Sequence, residues 1–235
     1  MADNNAISDI QAVDFAMGGV IVGAYDGLKD DSPIAFRRFL ARPAKQKIFR
    51  AENEDPQSLL RRIAKKGGEN KTPDLPIVAY YRAPSIMGNP NEKPVALAID
   101  RYLDDMERGF HLSTIPVTLT YSLLWCAWDK PTLDKMTLAW YCYIAQPARR
   151  FARFLVPYRI DDEPMDIPAS ISTPREIQAD SADVDQTQGR LWAARTTVEV
   201  NTQVLYGRQV KIIDEITAIS KVRLIKNTET QYVAG

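Results

Sequence analysis

The residue types that carry acid–base, nucleophilic or metal chemistry are sparse in this chain. One histidine occurs, His111, between Phe110 and Leu112. A Ser-His-Asp or Cys-His arrangement would have to use it as the base, and no G-x-S-x-G elbow presents a serine to it. A lone histidine is weak evidence for a catalytic base, so His111 is read as a structural or surface residue, and multi-histidine metal sites are excluded. Two cysteines, Cys126 and Cys142, lie in apolar segments; two thiols make neither a disulfide framework nor a four-ligand zinc site. Asp180, Asp183 and Asp185 with Gly189 gather as a calcium loop would, but an EF-hand needs glycine at its sixth place and a bidentate glutamate at its twelfth. Counting from Asp183, those places hold Gln188 and Ala194, which leaves a solvated loop. Gly18, Gly19 and Gly23 are followed by no Gly-Lys-Ser/Thr ending and preceded by no clear strand, so they do not make a phosphate cradle. No catalytic, cofactor-binding or metal-ligating residue is expected, no cofactor is implied, and the chain is read as not an enzyme.

Two aromatic groups remain. Arg149, Arg150, Arg153 and Arg159 interleave with Phe151, Phe154 and Tyr158, a combination that can meet phosphates and stack on bases. In a strand the same arginines form a wet face or an interface rim, which is the reading adopted. Trp125, Trp128, Trp140 and Tyr141 could line a pocket, but they fall on elements assigned to the core and are read as packing.

The elements that hold these residues follow from composition and period. At 235 residues, with 45% apolar and 26% charged residues, the chain is expected to form one large domain burying about 70% of its unfolded surface. Thirty Lys and Arg balance thirty Asp and Glu, so there is no broad basic excess for a nucleic-acid coat or an anionic lipid surface, and little self-repulsion opposes self-association. The first ten residues carry Asp3 and Asp9 without a basic residue, unlike a signal peptide. The longest apolar run, Ala12 to Tyr25, contains Asp14 and is shorter than the roughly 20 residues that span a bilayer. A cytoplasmic chain without a transmembrane segment is expected.

Ile10, Val13, Met17, Val20 and Ile21 have helical spacing, although three glycines weaken that helix by about 1 kcal/mol each. Ser32 and Pro33 read as an N-cap and first residue of a short helix bearing Ile34, Phe36, Phe39 and Leu40. Lys47 to Ala51 reads as a strand; Asp55 and Pro56 open a helix through Leu59, Leu60 and Ile63 that ends at Gly67 and Gly68. Ile77 to Tyr81 is predicted as a strand and Ala83 to Pro94 as a loop. Ile115 to Ala127 alternates apolar with polar residues and turns apolar on both faces from Leu124, the pattern of a central strand. Asp129 and Pro131 start a helix with Leu133, Met136, Trp140 and Ile144 along one stripe. Phe151 to Pro157 and Met165 to Ser172 are predicted strands, the second placed at an edge by Pro164 and Pro168. Thr173 to Gly189 is a polar loop, and Thr196 to Tyr206 alternates again. Intermixed strands and helices without strict βαβ order predict an α+β fold, with a mixed, mostly antiparallel sheet flanked by helices in a single domain over residues 1–207. Residues 208–235, with Val210, Ile212, Ile213, Ile216, Ile219, Val222, Leu224 and Ile225, are too apolar for a solvated tail; they are either an interaction arm adding a strand to a neighbour or a terminal element packed on their own domain.

The run from Lys47 through Leu59, Leu60 and Lys66, then Leu75 to Arg82, then Ile115 to Tyr206, resembles the tail terminator family of contractile-tailed bacteriophages, the tail sheath stabiliser and completion proteins. Within it PVTLTYSLLWCAWDKPTLDKMTLAWYCYIAQPARRF looks like that family's strand, acidic corner and amphipathic helix, and EPMDIPASIST and WAARTTVEVNTQVLYG look like its later strands. The resemblance covers about two-thirds of the chain and rests on element order and side-chain character. It implies a virion protein assembled in the host cytoplasm, forming a hexameric ring that caps tail tube and sheath at the head-proximal end and meets a neck or head-completion protein. It implies neither a membrane partner nor a sequence-specific nucleic acid, and it transfers no catalytic residue. Another phage neck or baseplate component, or a nucleic-acid-binding module, are the alternatives.

Overall fold

Helical and alternating side-chain periods take turns along the chain. In the computed structural model, which describes residues 5–7, 9–52, 55–66, 74–97, 108–146, 152–160, 163–174, 176–180, 182–183 and 190–211, they give β1 (Asn5–Ile7), α1 (Gln11–Gly23), α2 (Ile34–Ala41), α3 (Ala44–Lys47), β2 (Ile48–Arg50) and α4 (Pro56–Lys66). There follow β3 (Ile77–Gly88), β4 (Val95–Leu97), β5 (Arg108–Ala127), α5 (Lys130–Ile144), β6 (Arg153–Ile160) and β7 (Glu163–Ile171). Two short strands, β8 (Gln178–Ala179) and β9 (Ala182–Asp183), precede β10 (Arg190–Lys211). The larger of two compact units holds Asp9–Asn91 and Pro116–Gln203, the smaller Met1–Ser8, Glu92–Ile115 and Val204–Gly235. Because β5 and β10 each run through both, the division cuts strands and is not a boundary between consecutive domains.

In the larger unit the strand order is β2-β3-β5-β10-β7-β6. β2 runs parallel to β3, Ile48 opposite Val78, while β3 and β5 are antiparallel, Ile77 opposite Cys126. β7 is antiparallel to β10 and to β6. Between β5 and β10, Thr118 donates to Asn201 at 2.7 Å and Ser122 lies 3.5 Å from Thr197; the numbers rise on one strand as they fall on the other, so this pair too is antiparallel. The fold is thus α+β with a mixed, mostly antiparallel sheet, as predicted. In the smaller unit, β1 pairs with the end of β10, Asn5 opposite Arg208, and β4 with the start of β5, Val95 opposite Thr114.

The period-2 pattern of β5 sorts its side chains as the sequence requires. Val117, Leu119, Tyr121, Leu123 and Trp125 are buried on one face; on the other Leu124 and Cys126 are buried as well. The first face carries α1, α2 and α5. Tyr25 just after α1 meets Phe39 of α2 edge to face at 4.9 Å, and its hydroxyl accepts from Trp125 Nε1 at 2.7 Å and donates to the Met136 carbonyl of α5 at 3.0 Å. The stripe Leu133, Met136, Trp140 and Ile144 is the buried side of α5. The second face is closed at one end by α4, whose Leu59 and Leu60 pack with Ala79, Leu124, Cys126 and Leu191.

Asp129 caps α5 as read, accepting from the Thr132 N–H at 2.8 Å ahead of a proline in the first turn. Asp129→Ala is expected to lower the stability to urea by about 1 kcal/mol; an unchanged midpoint would show that the cap contributes nothing.

Several expectations are corrected. Ser32 caps nothing: Pro33 takes the N-cap place of α2 without a side-chain bond. The loop predicted from Ala83 is strand as far as Gly88, because Pro84 falls at a register shift between Arg82 and Ile86, where the ladder needs no N–H. β7 is internal and β6 is outermost; β7 meets β10 through Ser170 and Ile171, beyond both of its prolines. The predicted loop at 173–189 contains β8 and β9, both paired with β10. β10 does not stop near Tyr206 but continues to Lys211. Residues 212–235, the rest of the apolar C-terminal segment, lie outside the described residues, as do Gly67 and Gly68.

Candidate functional site

The face of the sheet opposite α1, α2 and α5 is built from the polar half of the alternation. Thr118, Thr120 and Ser122 of β5 stand beside Arg195, Thr197 and Glu199 of β10. α4 covers the apolar end of this face only. Beyond it, Ser172, Thr173, Pro174, Glu176 and Gln178 wall a groove of about 530 Å³ whose lining also includes Thr120, Arg195, Thr197 and Glu199.

The wall is fixed to the sheet by hydrogen bonds. Ser172 Oγ accepts from the Glu199 N–H at 3.0 Å and donates to the Glu199 carbonyl at 3.2 Å. Thr196 Oγ1 donates to the Glu176 carbonyl at 2.5 Å, and Gln178 Nε2 donates to the Glu176 carboxylate at 3.1 Å. Arg195 Nε pairs with Asp180 at 2.8 Å. Arg195 is therefore neutralised, whereas the Glu176 and Glu199 carboxylates make no ion pair among the described residues. The hydroxyl of Ser172 is occupied by backbone partners rather than activated by a base. Such a surface is suited to holding a cationic or hydrogen-bonding group.

The opposite face is organised around one buried charge. Asp14, 1% exposed, receives Arg82 Nε at 3.0 Å and the Tyr121 hydroxyl at 2.7 Å on Oδ1, and Arg50 Nη2 at 2.5 Å on Oδ2. The Tyr80 hydroxyl donates to its backbone carbonyl at 3.2 Å. Burial first, and then the bond to Asp14, pushes the Tyr121 hydroxyl well above the ordinary tyrosine range; burial also raises that of Tyr80, against the pull of Arg50. The carboxylate is saturated and its tyrosines stay protonated, so the cluster ties α1 to β2, β3 and β5. It also accounts for Gly18, where a β-carbon would come 2.6 Å from Tyr80 Oη; Gly23 makes similar room for Tyr143.

The residues singled out in the sequence do not converge on one place. His111 falls in β5, and its side chain lies outside the described residues. Cys126 is buried, its thiol pushed up to about 12, chiefly by burial and then by Asp180; Cys142 is exposed on α5. Asp180 pairs with Arg195 and Asp183 belongs to β9, while Asp185 and Gly189 lie outside the described residues. No group of three or more potential ligands is placed to hold a metal among the described residues, and no helix there is long and apolar enough to cross a membrane. Arg153 is exposed on β6, as a wet-face arginine should be, and Tyr158 is buried; Arg149, Arg150 and Phe151 lie outside the described residues, and so does the Arg159 side chain. Trp125 and Trp140 pack in the core with centroids 6.4 Å apart, Trp128 packs against the α4 cluster, and Tyr141 is 43% exposed.

The groove and the Asp14 cluster both escaped the sequence reading. The groove is made of ordinary polar strand positions and has no motif. Asp14 did carry a signal, an acid inside an apolar run, which calls for a buried cationic partner. No protein-family model matches the chain, and no curated protein matches it.

Proposed function

We propose that this chain is a structural ring subunit that caps the head-proximal end of a contractile phage tail. In this reading it ends the growth of tail tube and sheath and offers a surface to a neck or head-completion protein. The observation that carries it is the order of side-chain character from Ile115 to Tyr206, which resembles the tail terminators: a strand, an acidic corner, an amphipathic helix and later strands. β5, the Asp129 cap, α5, β7 and β10 follow in that order. Supporting it is the contrast between two faces of the larger unit, one covered by α1, α2 and α5 and the other open and polar beyond α4, since a rotational ring needs two different complementary surfaces on each subunit.

The site of action is then the virion, at the junction of tail and neck, after assembly in the host cytoplasm. Imaging of phage tails that carry a labelled copy tests the reading. Label confined to the head-proximal end is expected. Label at the baseplate would instead assign a baseplate component, and salt-sensitive DNA binding without tail association would assign a nucleic-acid module.

A further inference from the structure

We infer that the groove on the open sheet face is the receptor half of a head-to-tail interface, and that its occupant is the outer face of α2 from a second copy of this chain. The inference rests on the ring reading above and specifies which surfaces close the ring.

The donor half is read from helix period. Phe36 and Phe39 turn inward, Phe39 onto Tyr25, so Ile34, Arg37, Arg38 and Ala41 form the opposite stripe at i, i+3, i+4 and i+7. Ile34 is 58% exposed, and the other three are exposed too. Neither Arg37 nor Arg38 makes an ion pair among the described residues. Two guanidiniums unpaired among the described residues thus stand beside an exposed isoleucine on the face that carries α1, α2 and α5, and two carboxylates likewise unpaired among the described residues, Glu176 and Glu199, line a groove on the other face. Arginine offers five donors in a rigid fork, which matches carboxylates flanked by threonine hydroxyls. Because the two patches belong to opposite faces of the same unit, each copy can give one and receive one. That arrangement is heterologous and closes into a ring when the rotation permits. It also uses matched opposite patches in a chain whose net charge is zero.

The test uses the full-length chain and sedimentation velocity at low and high salt. Wild type is expected to form rings that loosen as salt rises. R37E/R38E and E176R/E199R are each expected to associate at least about tenfold more weakly while keeping the wild-type melting curve, since all four side chains are at the surface. An equimolar mixture of the two variants is expected to reassemble, because each variant's altered patch meets the other's, and only in even-numbered rings with alternating subunits. The single reversals R37E and E199R serve if a double variant melts early. Rings that persist in R37E/R38E, or a mixture that fails to reassemble, overturn the interface and leave the capping reading standing. A wild type that stays monomeric overturns both. Loss of association in R61E/K65E but not in R37E/R38E would give the groove's partner as the exposed basic side of α4 instead.

Discussion

Leu119→Lys is expected to yield no cooperatively folding protein. Leu119 is fully buried in β5, the strand between β3 and β10, on the face that carries α1, α2 and α5. The substitution removes a packed leucine, about 2–5 kcal/mol in a well-filled core, and sets an ammonium where the neighbouring acid is already taken. Asp14, bonded to Tyr121 two residues along the strand, is saturated by Arg50 and Arg82. Burying an unpaired charge costs several kcal/mol more, and the sum reaches a typical total stability of about 5–15 kcal/mol. Thermal melts of the soluble fraction read the outcome, with Thr120→Lys as the control. Thr120 is the next residue, on the groove side, where a lysine can reach water, so that variant should fold. A soluble Leu119→Lys with a wild-type melt would mean that the core has been assigned to the wrong face.

The second large effect is expected at Asp14. Asp14→Ala leaves Arg82, 18% exposed, without its carboxylate and the Tyr121 hydroxyl without its acceptor, while Arg50, 49% exposed, can turn to solvent. Removing one partner of a buried ion pair costs about 3–5 kcal/mol, because the remaining charge stays desolvated. Urea denaturation should show a loss of that size. Asp14→Asn keeps an acceptor for Tyr121 and should cost less. A loss under about 1 kcal/mol in the alanine variant would show that the arginines are hydrated after all and that α1 is held by its apolar side alone.

Where the sequence was legible, one physical requirement acted alone. In β5 the alternation, and in α5 the cap plus the stripe, each answer to a single demand, burial of one face; α5 and the end of β5 at Ala127 fall where the sequence places them, while β5 begins at Arg108, seven residues before the predicted Ile115. Where two requirements met, the reading failed. Pro84 argues against a strand unless a register shift excuses its missing N–H, and that shift depends on the partner strand. Pro164 and Pro168 argued for an edge, yet β7 needs β10 only past them. β8 and β9, two residues each, are strands only because β10 lies alongside; no period exists in so short a stretch. The groove was invisible for the same reason: Thr120, Thr197 and Glu199 are unremarkable strand residues until antiparallel pairing sets them side by side. The fold class survived these errors because it depends on how strands and helices intermix, not on where each one stops.

The outermost strand carries one more consequence. Among the described residues β6 ends the sheet on its side, and Pro157, exposed and opposite Asp166, gives it a residue with no N–H to offer an incoming chain; Arg153, also exposed, adds a charge. A border of this kind resists edge-to-edge stacking into open-ended fibrils. In the proposed ring, where copies would gather at high local concentration, this border disfavours polymerisation through the β6 backbone and leaves recognition there to side-chain surfaces. The same border makes β6 a poor acceptor for an added strand, so an arm from residues 212–235 of a neighbouring copy would have to pair with β2, at the other end of the strand order, or with another protein.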